Sequence, residues 1–140
     1  MTALRSTARV KTILVIDDDP LVRRTIQRIL QKRGYGVQLA ADGLQGLRTF
    51  RSKLPDLIIT DIVMPPPDGL ETIRALRASS ATTKIIAISG GNRASRGDLL
   101  AAALALGASA AILKPFAPEE LLSTVNENLS AAEMRAGLGP

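Results

Sequence analysis

Five short apolar runs, each cut off by a polar residue or a breaker, set the frame of this 140-residue chain. They are residues 12–16, 36–40, 57–60, 84–88 and 110–113. Runs of this length are strand-sized, and those that are apolar throughout, rather than alternating, suit strands covered on both faces. Longer segments with helical spacing lie between them, the first carrying Val22, Ile26, Ile29 and Leu30. Strict alternation of strand and helix predicts an α/β fold with a parallel sheet, doubly wound with helices on both faces through right-handed crossovers.

The punctuation agrees with that frame. Asp19 suits an N-cap and Pro20 a first helical turn, while Gly34 suits the residue just past the helix end. Arg23, Arg24, Arg28, Lys32 and Arg33 are assigned to the outer face of this first helix. Asp42 caps a second helix, with Leu44, Leu47 and Phe50 expected inward. Asp68 and Glu71 have capping-box spacing and open a third helix, with Leu70, Ile73 and Leu76 inward and Arg74 and Arg77 outward. Residues 89–97, rich in Gly and Ser, read as a mobile loop before a fourth helix from Asp98 to Leu106. That helix continues a stretch, Leu99 to Leu113, without a charged residue. A fifth helix is expected from about Ala117 to Ala131. Residues 1–10 read as a flexible leader, 11–130 as one domain and 131–140 as a loose tail.

Composition removes several chemistries. There is no His, so the chain has no histidine base, metal ligand or phosphohistidine of its own, and no Cys, so no disulfide or thiolate site. Apolar runs are too short for a membrane span, and the first residues lack the apolar core of a secretory signal. A cytoplasmic location is expected. Net charge is +5, with eight Lys/Arg among residues 1–33 and four Glu against one Arg after Lys114. No zinc-finger spacing, DNA-reading helix pair or aromatic platform accompanies it, so solvated helix faces explain the charge and nucleic-acid binding is the weaker account.

In a parallel sheet the C-terminal strand ends share one edge, where such folds bind ligands. Here that edge carries Asp17 and Asp18 after the first strand, Asp61 after the third, Ser89 after the fourth and Lys114 after the fifth. The prolines of Met64-Pro65-Pro66-Pro67 keep the third strand from running on past Asp61. Crowded carboxylates repel one another, and a hard divalent cation such as Mg2+ relieves that repulsion while leaving room for phosphate oxygens. Lys114 then suits a cation beside developing phosphoryl charge, and Ser89 a hydroxyl donor. Asp61 is left as a nucleophile that needs no base, giving an aspartyl-phosphate.

With these residues in place, the chain resembles the response-regulator receiver domain of two-component signalling. The likeness rests on Ile13 to Pro20, Asp61 with Met64-Pro65 and Asp68-Gly69, Ser89, and Lys114-Pro115-Phe116, and covers about residues 11–130. It implies a flavodoxin-like (βα)5 fold with strand order 2-1-3-4-5. It also implies that Asp61 is phosphorylated from a phosphohistidine of a sensor histidine kinase or phosphotransfer protein. Asp17, Asp18, Asp61 and the main-chain carbonyl of Val63 would hold Mg2+, Asp17 acting through water. Ser89 and Lys114 would touch the phosphoryl group, and Lys114-Pro115 would be cis. The protein would be a stand-alone switch with no DNA-binding domain. It would signal to a downstream protein through the face made by the fourth helix, fifth strand and fifth helix, with a homodimer possible. The alternative is a phosphorelay intermediate or phosphate sink.

Two positions depart from the family pattern. Ala111 stands where receivers often carry an aromatic switch residue, and Pro66 and Pro67, between Met64-Pro65 and Asp68, should stiffen the loop after Asp61. Val63 and Gly91 occupy the positions that tune phosphoryl lifetime, and neither side chain can hold an attacking water, so slow self-dephosphorylation is expected. A haloacid-type hydrolase would want a second Asp where Val63 stands.

Overall fold

A computed structural model describes residues 9–90 and 93–137, the side chains of 93–96 and 134–137 excepted. In chain order the elements are β1 (Thr12–Ile16), α1 (Pro20–Gln31), β2 (Gly36–Ala40), α2 (Gly43–Ser52), β3 (Leu57–Asp61), α3 (Gly69–Ser79), β4 (Lys84–Ser89), α4 (Arg93–Ala105), β5 (Ala110–Leu113) and α5 (Pro118–Gly137). The strands form one sheet in the order β2-β1-β3-β4-β5, and every pairing is parallel.

Each central strand sends alternate side chains to opposite faces, and both faces are covered. Leu14, Ile16, Ile58, Ile85 and Ala87 meet Phe50 of α2, Ile73 and Leu76 of α3 and Ala103 of α4. Ile13, Val15, Ile59, Ile86 and Ile88 meet Ile26 and Leu30 of α1 and Leu121, Val125 and Leu129 of α5. Most of these side chains are wholly buried. Each of the larger ones contributes roughly 1.5–3 kcal/mol, and together they bury β1, β3 and β4 at the centre of the sheet.

The caps form as the sequence implies. The Asp19 carboxylate accepts from the Leu21 N–H, that of Asp42 from the Gln45 N–H, and Asp68 and Glu71 complete both halves of a capping box. Gly34 takes φ +86°, its N–H donating to Gln31 O and that of Tyr35 to Leu30 O. Those two bonds close α1 as a Schellman turn.

Several expectations change. Leu44 is 59% exposed, and α2 instead buries Gly43, Gly46 and Phe50. The reason is close approach: a Cβ on Gly46 would lie 2.5 Å from Ile16 Cδ1, and one on Gly43 would run into Thr72 Oγ1. Arg77 is not an outer-face residue. Its guanidinium donates to the carbonyls of Ser80, Thr83 and Gly107, tying the start of β4 to the α4–β5 turn.

Helix α4 starts at Arg93 rather than Asp98, so most of the expected loop is helical, while residues 91–92 lie outside the described residues. Nothing in Arg93–Arg96 breaks a helix, and the isolated Gly97 costs only about 1 kcal/mol. Helix α5 continues past Ala131 to Gly137 because the added residues are mostly strong helix formers. The loose-tail reading therefore holds for none of 131–137, and 138–140 lie outside the described residues. Of the leader, residues 1–8 lie outside the described residues, and Arg9 makes a two-pronged pair with Asp56 at 2.9 and 2.6 Å.

Candidate functional site at the strand ends

The site is assembled by register. Ile16 pairs with Thr60, Asp61 with Ile88 and Ser89 with Leu113, so the chain leaves β1, β3, β4 and β5 within a residue or two of one line. Asp17, Asp61 and Ser89 sit at that edge, 1%, 5% and 0% exposed, while Asp18 is exposed. One carboxylate oxygen from each of Asp17, Asp18 and Asp61 lies within 4.8 Å of the others.

Lys114 reaches this cluster from the end of β5. Its Nζ stands 3.1 Å from Asp17 Oδ2 and 3.3 Å from Asp61 Oδ2. The Lys114 N–H donates to Ser89 O at 2.8 Å, which ties the end of β5 to β4; the peptide bond to Pro115 is cis. Gly90 makes way for the stem, since a Cβ there would come within 3.1 Å of Lys114 Cδ. A second cis bond joins Pro66 to Pro67.

Asp17 is held at every polar atom. Its N–H donates to Ala40 O, Oδ1 accepts from the Asp19 N–H at 2.9 Å, Oδ2 accepts from Lys114, and its carbonyl accepts from Arg23 at 2.7 Å. Asp61 is held less completely. Its Oδ1 is buried with no hydrogen-bond partner among the described residues. Gly69 secures the backbone behind it, donating its N–H to Ile62 O, and a Cβ at Gly69 would strike Asp61 O and Ile62 Cα.

The charge balance shows in the proton affinities. Burial pushes the Asp61 carboxyl up to about 6, Asp17 pushes it the same way, and Lys114 and the Ile62 N–H pull against both. Burial works against the Lys114 ammonium, yet Asp61 and Asp17 outweigh it and hold its pKa above the usual lysine value. Burial and the neighbouring carboxylate together raise Asp61, while for Lys114 the two carboxylates overcome burial. An orphaned buried carboxylate oxygen within a set of hard oxygen donors fits a small divalent cation such as Mg2+ and does not fit a soft metal.

The structure thus brings Asp17, Asp18, Asp61 and Lys114 together. Ser89 ends the strand next to Asp61, and its Oγ makes a long 3.4 Å contact with Gly90 O. Val63 follows Asp61 by two residues in the β3–α3 loop with its side chain exposed. Gly91 is outside the described residues. Ala111 pairs with Ala87 in the sheet. Sequence reading missed the parts played by Arg23 and Gly90, and gave Gly69 only as half of the Asp68-Gly69 motif. Arg23 left one signal: a cation in the first turns of a helix opposes the helix dipole and calls for a local acceptor.

The family model for the response regulator receiver domain matches residues 13–126. Response regulator MprA of Mycolicibacterium vanbaalenii is 38% identical over 127 residues, covering 91% of this chain and 54% of the relative. MprA of Mycobacterium avium is 40% identical over 111 residues, covering 79% and 47%. Among solved structures, a CheY-like response regulator receiver domain protein from Methanospirillum hungatei superposes with a TM-score of 0.83 at 29% identity, covering 90% of this chain and 98% of that one. The chain thus spans about half the length of the curated relatives it matches. Roughly half of each of those relatives lies outside the matched stretch. The expectation of a partner set without a DNA-binding domain is therefore withdrawn. Among the described residues no helix is long and apolar enough to cross a membrane.

Proposed function

Since the chain belongs to the response regulator receiver domain family, we propose that Asp61 is its phosphoacceptor. It would take a phosphoryl group from a phosphohistidine of a histidine kinase or phosphotransfer protein in a Mg2+-dependent reaction. The observation that carries this reading is the state of Asp61: buried at the end of β3, one oxygen 3.3 Å from Lys114 Nζ, the other without a partner.

Asp61 supplies the electron pair that forms the new O–P bond, and the P–N bond to the donor imidazole breaks. Asp17, Asp18, Asp61 and the Val63 carbonyl are the groups that would hold Mg2+, which neutralises charge on the phosphoryl oxygens when bound. Lys114 moves its ammonium contact from the Asp61 carboxylate to a phosphoryl oxygen as charge builds there, and Ser89 Oγ donates to another. The chain catalyses only its own phosphorylation and dephosphorylation. Residues 11–130 form the receiver unit, working in the cytoplasm.

The test is treatment with acetyl phosphate and Mg2+ followed by intact mass measurement. The wild type should gain one phosphoryl group, Asp61→Asn none, and Lys114→Gln should react about a hundredfold more slowly. A mass gain that survives in Asp61→Asn would break the assignment.

A further inference from the structure

Arg23 stands at the wrong end of its helix for a cation. It follows Asp19 and Pro20 in the opening turns of α1, where the backbone N–H groups already carry partial positive charge, and no acidic residue shares that first turn. It is nevertheless half-buried, and Nη1 donates to the carbonyl oxygen of Asp17 at 2.7 Å. That carbonyl belongs to the peptide joining Asp17 to Asp18. The Arg23 backbone N–H also holds Asp19 O at 3.0 Å.

Asp17 and Asp18 need different kinds of support. The Asp17 side chain is fixed by Asp19 N–H and Lys114. Asp18 is exposed and sits outside the strand, so its carboxylate reaches the cluster only if the preceding peptide is turned the right way. The Arg23 guanidinium donates to the carbonyl of this peptide. We propose that Arg23 is a positioning residue for the divalent-cation site, fixing the Asp17–Asp18 peptide so that the Asp18 carboxylate faces Asp61. This rests on the reading of Asp17, Asp18 and Asp61 as cation ligands.

The two roles open to Arg23 have opposite signs. As a bare positive charge near the carboxylates, it repels a divalent cation, and its removal tightens binding. As a positioning group, its removal weakens binding, because Asp18 loses its preset orientation. Supporting groups behind metal ligands commonly matter by a factor of ten or more.

Calorimetric Mg2+ titration of the full chain separates the two, with Arg23→Met, Arg23→Lys and Asp61→Asn beside the wild type. Melting curves in EDTA confirm that each variant is folded. Arg23→Met keeps the apolar stem and removes both donor and charge; it should bind Mg2+ about tenfold more weakly. Arg23→Lys restores a donor to the Asp17 carbonyl and should recover part of that loss. Binding by Arg23→Met equal to or tighter than the wild type overturns the proposal while leaving the cation site standing. No Mg2+ binding by the wild type, or undiminished binding by Asp61→Asn, overturns the cation site and Arg23's role with it.

Discussion

Replacing Asp61 with asparagine should stabilise the cation-free protein at neutral pH, although it removes the residue proposed to carry the chemistry. In the folded chain the carboxyl titrates near 6, against an ordinary value of 3.8. The folded state therefore binds this proton more tightly than the unfolded state does. The corresponding stability is fully present below the ordinary value and is lost as pH rises through about 6. Above that, holding the Asp61 anion costs about 3 kcal/mol. Asparagine has no proton to lose and escapes the cost, while Lys114 keeps Asp17 at 3.1 Å. For a chain of this size about 3 kcal/mol corresponds to roughly 10 °C in melting temperature. Thermal melts in EDTA should separate Asp61→Asn from the wild type by about that much near pH 8 and bring them nearly together near pH 4. Added Mg2+ should raise the wild type and leave the variant where it was. If Asp61→Asn melts at or below the wild type near pH 8 in EDTA, the reasoning from burial and charge crowding is wrong.

Other substitutions probe the supports of the site. Gly69→Ala should be worse than Gly46→Ala, at about 3 kcal/mol or more against about 1. The added methyl at Gly69 meets backbone of Asp61 and Ile62, while that at Gly46 meets the movable end of Ile16; urea denaturation gives the ranking. Arg77→Met should cost roughly 2–3 kcal/mol by leaving three carbonyls without their cationic donor, and an unchanged urea midpoint would contradict it. Leu44→Gln should shift stability by less than about 0.5 kcal/mol, whereas Phe50→Ala should cost about 3–5. Once phosphorylated, the protein should hold the group for minutes or longer, because Val63 and Gly91 cannot orient water; loss within seconds, followed by intact mass, would count against that.

The strand ends were legible because the chemistry and the fold share one signal there. The apolar run Leu57–Thr60 gives way to Asp61 at the last residue of β3, so one position both closes the strand and carries the proposed phosphoacceptor. The caps at Asp19, Asp42 and Asp68 were legible because capping is local. What periodicity could not show is which residues of a helix face meet backbone at close range. Leu44 sits at helical spacing from Leu47, yet Gly43 and Gly46 take the inner positions because α2 lies too close to Ile16 and Thr72 for larger side chains. Arg23 and Arg77 read as solvated cations in the sequence because their acceptors are carbonyls, which carry no residue code. The start of α4 is hidden because Gly and Ser read as loop residues although Ala and Arg around them favour a helix, and the end of α5 because no breaker marks it before Gly137.

The unbroken alternation of parallel strands with helices also governs the field at Asp61. When every strand runs the same way and is followed by a helix, each helix must begin on the side of the sheet where the strands finish. The amino ends of α1 to α5 therefore all open toward the edge that holds Asp61, each worth about half a positive charge. A phosphoryl dianion placed on Asp61, as proposed, would meet the nearby helix amino ends as well as Lys114. No side-chain substitution deletes that contribution. A variant stripped of Lys114 should still accept a phosphoryl group slowly, because the remaining attraction is written into the direction of the chain.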